Sequence, residues 1–304
     1  MSFLARIIRS IEFSPTSVGL FSVAFVSLIV SRLLVESWLF GFPVRSGTFL
    51  FYEWSHNFSF FLVAFLLFIP LLRFFARISF RTASSIMLFG FLIILTPPVI
   101  DFVVSDGRGV WSFYIFDGFP GLLKRYFTFF GDRPDMGITY GVRVEVALVT
   151  IFVSWYVFLK TRRLFRALGA GIASYTLLFF LGTFPSWMAI IMHGVVSGSG
   201  SIQASDVAGI FLSPFSFFSR GAIDPRSILN AKMSLVYSLL LLPLFAALVF
   251  RWDKKVFFAL FRNARFPQML YHGGLLGMGM GLPFFSLGRL EFLISLTFWG
   301  HHRF

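Results

Sequence analysis

A chain of 304 residues that is 57% hydrophobic and only 13% charged cannot keep a conventional aqueous surface, because soluble domains carry about 25% charged residues. The 46 Phe residues point the same way, since lipid-facing and crowded intramembrane surfaces absorb rings that an aqueous core of this length would not need. No Cys is present, which excludes disulfides, thiolate metal sites and Cys nucleophiles. The net charge of +13 is broken into short basic clusters between apolar runs, a pattern of leaflet anchoring rather than nucleic-acid binding.

In chain order, residues 1–17 read as a short amphipathic helix at a membrane interface. Phe3, Leu4, Ile7, Ile8 and Ile11 share one face, with Arg6 and Arg9 off it. A frayed basic tail is the other reading. No small-residue cleavage site follows the apolar run that begins near Val18, so the segment is not read as a cleaved signal. A helix needs roughly 20 apolar residues to cross a bilayer. Seven runs qualify, at about 19–40, 58–72, 86–104, 144–159, 168–192, 234–250 and 269–287, whereas 290–299 is too short to cross alone. The expected fold class is all-α: a polytopic transmembrane bundle of about seven spans over residues 18–260, then a glycine-rich helical hairpin at 261–304 that also reads as the start of a truncated second membrane domain.

Charge sets the expected orientation. With the N-terminus cytoplasmic, the inner segments carry Arg6 and Arg9; Arg73, Arg77 and Arg81; Lys160, Arg162, Arg163 and Arg166; and Arg251, Lys254, Lys255, Arg262 and Arg265, against only Glu12 and Asp253. That alternation is what the positive-inside rule requires. It places the chain in the cell membrane as a multi-pass protein with anionic lipids against its inner face. The two long outer connections, about 105–143 and 193–231, hold the apolar segments 110–130 and 207–218, interrupted by Pro120 and Pro214. These are expected to be interfacial or re-entrant segments packed on the outer helix ends.

Charges near helix ends supply the candidate site. Asp101 follows Thr96-Pro97-Pro98, where two prolines are expected to bend or end the helix, and Asp106, Gly107 and Arg108 come next. Asp101, Asp106 and Arg108 are the candidate catalytic residues of an outward cavity that binds a cation or, through a metal ion, a phosphate-linked head group. The plainer reading is a helix stop with Asp101 paired to Arg108 or Arg143. Arg143 and Glu145 open the fourth span and are candidates for head-group binding, with an interfacial anchor as the alternative. Asp132 to Asp135 read as a solvated turn, and none of the five His residues has a partner at metal-binding spacing. Gly273, Gly277 and Gly281 form a double GxxxG face suited to a partner helix. No Walker sequence, zincin helix or nucleophile elbow occurs.

The segment Arg262-Asn263-Ala264-Arg265-Phe266-Pro267-Gln268-Met269-Leu270-Tyr271-His272-Gly273-Gly274 resembles the start of the first helix of UbiA-type prenyltransferases, membrane enzymes that attach isoprenoid chains to acceptors. The resemblance implies that residues 262–304 begin such a domain and that the preceding residues are an extra hydrophobic region. The family's Asp-rich motifs, which hold magnesium and the diphosphate, have no match here, so no catalytic residue is carried over.

Three function classes remain. The favoured one is a non-catalytic membrane module or accessory subunit of lipid or isoprenoid metabolism. The second is an enzyme, a transferase on lipid-linked polyprenyl or phospholipid substrates at the outer face, with Mg2+ considered only in that case. The third is a transporter, for which the helix centres offer little polar lining. Convergence of Asp101, Asp106, Arg108, Arg143 and Glu145 on one cavity favours the enzyme, and their scatter favours the accessory module.

Overall fold

The computed structural model describes residues 3–13, 18–40, 47–107, 112, 114–131, 137–197, 202–213, 225–252 and 254–263, and every regular element among them is helical. Five stretches are long and apolar enough to cross a membrane. The first is Tyr52–Ala76, within α3 (Gly47–Ala76), and the second is the rod Phe80–Val104. That rod consists of α4 (Phe80–Gly90), a 3-10 turn (Phe91–Leu95) and α5 (Thr96–Val104). The others are α7 (Tyr140–Thr161), α8 (Leu164–Gly182) and Pro225–Arg251 of α11 (Pro225–Trp252). The shorter elements are α1 (Phe3–Phe13), α6 (Phe119–Phe127), α9 (Phe184–Ser197), α10 (Ala204–Leu212) and α12 (Lys254–Asn263), and α2 (Val18–Phe40) precedes α3. Leu34, Ile151, Ile172, Leu242 and Phe245 each stand more than half exposed on the outside of the bundle. So much outward apolar surface is stable only against hydrocarbon or a partner.

Two boundaries differ from the sequence expectation. Helix α3 begins eleven residues ahead of the expected start at 58, because Glu53, His56 and Asn57 face a cavity inside the bundle instead of ending the helix. The expected span 168–192 is cut at Thr183. Pro185 cannot donate to Leu181, and the Thr183 hydroxyl bonds back to the Phe179 carbonyl at 2.7 Å. The chain then turns into α9. The run 269–287, with Gly273, Gly277 and Gly281, and all but the first two residues of the prenyltransferase-like segment lie outside the described residues.

Three packed clusters hold the bundle. The first joins α2, α3, the α4–α5 rod and α7 around Phe25, Ile29, Phe65 and Tyr156. The second joins α3, α10 and α11 around Val207, Phe211, Met233 and Tyr237. The third seats Ile115, Leu122 and Phe130 of the 114–131 connection against Val146 and Phe179. Part of the apolar content of both long connections is thus buried on helix ends, while Phe119 and Phe127 stand more than half exposed. Ile115 N–H donates to the Gly182 carbonyl freed by the Thr183 break, and the Ser186 hydroxyl accepts from Asp117 N–H while donating to the Ile115 carbonyl, both at 3.0 Å. In the other connection, buried Lys232 donates to the Ile210 and Ser213 carbonyls at the C-terminal end of α10, where a cation also suits the helix dipole.

The basic turns gather at one end of the bundle. Arg166 donates to the Phe75 carbonyl, and the Arg73 guanidinium lies 4.2 Å from the centre of the Phe80 ring. Helix α1 docks at the same end. Ile8 and Ile11 pack on the first cluster, and Glu12 accepts from the Tyr156 hydroxyl at 2.7 Å and from Lys160 at 2.6 Å.

At the other end, α5 and α7 meet backbone to backbone. Thr139 caps α7 by accepting from Val142 N–H, and the Asp101 carboxylate accepts from Gly141 N–H at 2.7 Å. A Cβ at Gly141 would stand 2.3 Å from the Pro97 carbonyl oxygen. Gly141→Ala is therefore expected to destabilise the bundle by about 1–3 kcal/mol, read as a lowered thermal unfolding midpoint in detergent.

Candidate functional site

Of the five residues singled out from the sequence, four are described: Asp101 and Glu145 both lie near Arg32, whereas Asp106 is exposed and Arg143 bonds elsewhere. Asp101 is buried and spent on capping α7, within electrostatic reach of Arg32. Asp106 sits exposed in a left-handed turn (φ 52°) that closes α5. Arg143 donates to the Gly131 carbonyl at 2.7 Å, and its Nε and Nη2 atoms are buried without a hydrogen-bond partner among the described residues. No ion pair joins Arg143 to Asp101 among the described residues. Arg108 lies outside them. Of the four described, Glu145 alone lines the polar cavity of the bundle.

That cavity is organised by Arg32. The double proline leaves two carbonyls without their helical donors: Pro97 has no N–H for Ile93, and Pro98 has none for Ile94. The helix tightens to 3-10 geometry here, and both the N–H and the hydroxyl of Thr96 turn back to the Ile93 carbonyl, the hydroxyl at 2.8 Å. The Ile94 carbonyl is met from another helix, by Arg32 Nη1 at 2.6 Å. The expected stop does not occur at the prolines, since the rod continues through them to Val104.

Arg32 is 8% exposed and has three further neighbours. Glu36, one turn on, lies 4.0 Å away, Glu145 of α7 lies 3.9 Å away, and the Phe61 ring centre lies 5.2 Å from the guanidinium carbon. Both ion pairs are longer than a direct hydrogen bond. The carboxylates face a cavity of about 170 Å³ whose wall also includes Glu53, His56, Asn57, Arg226 and Asn230. On its far side, His56 Nε2 lies 2.6 Å from the Tyr114 hydroxyl, which lies 3.0 Å from the Tyr237 hydroxyl. Burial, with the Tyr237 phenol next to it, raises the pKa of the Tyr114 hydroxyl well above that of free tyrosine, so it stays protonated.

A second cavity of about 590 Å³ abuts the first and shares Phe60, Phe61, Glu145 and Leu178 as walls. It runs between α3, the 3-10 turn and α7, and apart from Glu145 and Thr96 its lining is apolar, with Phe68, Leu148, Phe152 and Trp155 among it. A polar chamber joined to an apolar groove matches the two ends of an amphiphile. Together they fall within the roughly 300–1,000 Å³ that small-molecule sites occupy. Among the described residues no three His, Asp or Glu side chains are placed to share a metal ion.

Sequence reasoning passed over Arg32, Glu53, His56, Asn57, Arg226 and Asn230. The signal was there: Arg32–Glu36 and Arg226–Asn230 are i, i+4 pairs, and Glu53, His56 and Asn57 have i, i+3, i+4 spacing, so each set shares one helix face. Comparison with protein families, with curated proteins and with solved structures returns no match.

Removing Arg32 leaves two carboxylates and a carbonyl buried together. Arg32→Met is expected to cost about 3–5 kcal/mol, as breaking a buried ion pair does, whereas the triple variant Arg32→Met, Glu36→Gln, Glu145→Gln recovers more than half of the loss in thermal unfolding midpoint.

Proposed function

We propose that this chain is a polytopic membrane protein whose bundle holds a lipid-like amphiphile, and that it serves as a non-catalytic module or accessory subunit of lipid or isoprenoid metabolism. The observation that carries the reading is the pair of abutting cavities, one walled by two arginines, three carboxylates and two asparagines, the other by aromatic and aliphatic side chains. The polar chamber lies toward the N-terminal ends of α3, α7 and α11 and the C-terminal part of α2. The charged turns lie at the opposite end, so the positive-inside rule puts them, and the N-terminus, in the cytoplasm and the chamber toward the outer leaflet. In this topology α2, with 23 residues and only Arg32 and Glu36 charged, crosses as well. The reading places the chain in the cell membrane.

An amphiphile with a polar, hydrogen-bonding head and one isoprenoid or acyl chain suits the space. The head exchanges hydration for the mixed charges of the chamber, and the chain displaces water or lipid from the phenylalanine-lined groove. A second reading, an enzyme acting on the head group, is favoured by one observation: the cavity wall carries His56 in contact with the Tyr114 hydroxyl, a pair able to exchange a proton with a bound head.

Purification with native lipid and mass spectrometry of what co-purifies tests the proposal. One amphiphile is expected per chain, and Leu148→Trp, which fills the groove, is expected to reduce its recovery by about tenfold without unfolding the chain. Recovery of the same lipid mixture with and without Leu148→Trp would sink the binding reading. Turnover of the bound lipid that disappears in Tyr114→Phe would shift the conclusion to the enzyme.

A further inference from the structure

The opposite end of the bundle carries a separate groove, of about 530 Å³, between α3 and α11. Its floor is apolar, from Leu66, Pro70, Leu244 and Leu248, and its two charged lining residues are Arg73 and Arg251. Among the described residues no carboxylate lines it. The Arg73 guanidinium carbon lies 4.2 Å from the centre of the Phe80 ring, a cation–π contact that leaves its N–H groups unspent. Neither guanidinium has a hydrogen bond or an ion pair among the described residues.

We propose that this groove is a binding site for an anionic phospholipid, with one acyl chain along α3 and α11 and the phosphate between Arg73 and Arg251. Charge complementarity selects the occupant. Two guanidiniums with free edges at the mouth of an apolar groove match a phosphate joined to a hydrocarbon chain, because each fork can meet phosphate oxygens in a bidentate way. A zwitterionic lipid brings its own ammonium beside the phosphate and gains less. The neighbouring basic turns, with Arg77, Arg81 and Arg166, add a field of the same sign. The site is independent of the outward chamber and shares none of its lining residues.

The test is native mass spectrometry of the full chain in detergent, titrated with phosphatidylglycerol and with phosphatidylcholine of equal chain length. Retention of one phosphatidylglycerol over phosphatidylcholine by about thirtyfold is expected from two basic contacts. The double variant Arg73→Gln, Arg251→Gln should bring the two lipids to parity while still binding both weakly. Leu248→Trp should remove both, and Ala247→Leu, a milder filling of the same groove, should weaken both if the tryptophan variant does not fold. Glycerol phosphate without chains should not compete. Equal retention of the two lipids by the unaltered protein, or a preference that survives loss of both arginines, overturns the proposal. So does competition by glycerol phosphate at lipid-like concentration, which would make this a soluble phosphoester site.

Discussion

The Arg32–Ile94 hydrogen bond is the contact around which the polar part of this bundle is built. A proline in a helix frees a carbonyl four residues back, and a freed carbonyl among apolar side chains must find a donor. Thr96 supplies one for Ile93 from its own turn, but nothing on the rod reaches Ile94, and the guanidinium of α2 does. A buried cation then needs anions, which Glu36 and Glu145 provide from two helices. Carboxylates and a guanidinium cannot close up as tightly as leucines, so a chamber stays open beside Phe61 where a uniform hydrocarbon core would have filled. One backbone defect thus leads, through ordinary hydrogen-bond accounting, to the cavity on which the functional reading rests.

Much of the architecture was legible from periodicity and charge. Runs near 86–104, 144–159 and 234–250 appear as the α4–α5 rod, α7 and α11, and Ile115, Leu122, Phe130, Val207 and Phe211 of the two long connections are packed on the bundle. The failures share a cause. The apolar run that starts at 58 leaves out Glu53, His56 and Asn57, yet a helix continues through polar residues when they face a common cavity. The run 168–192 is continuous in hydropathy, although Thr183 and Pro185 interrupt its hydrogen bonding. Asp101 shows the same limit of local reading. Asp101 attracts attention as an isolated acid after two prolines, but the long-range partner that consumes it, Gly141 N–H, is forty residues away.

The two ends of the bundle have opposite chemistry. One encloses mixed charges, including three carboxylates, within aromatic walls. The other presents two arginines, with no carboxylate among the described residues, beside an apolar groove. Mixed charge suits a specific head group, whereas single-sign charge beside an apolar groove suits the phosphate of a lipid.

The position of α1 bears on how the molecule is assembled. Its acid Glu12 is held by Tyr156 and Lys160, which lie 144 and 148 residues further along the chain. That clasp cannot form until the last turn of α7 has been synthesised, so α1 reaches its full set of partners only after 148 further residues have been added. Through that interval α1 needs another partner for Ile8 and Ile11, and its amphipathic pattern allows it to rest on the membrane surface. Its sequence thus encodes a waiting position, and the bundle its destination.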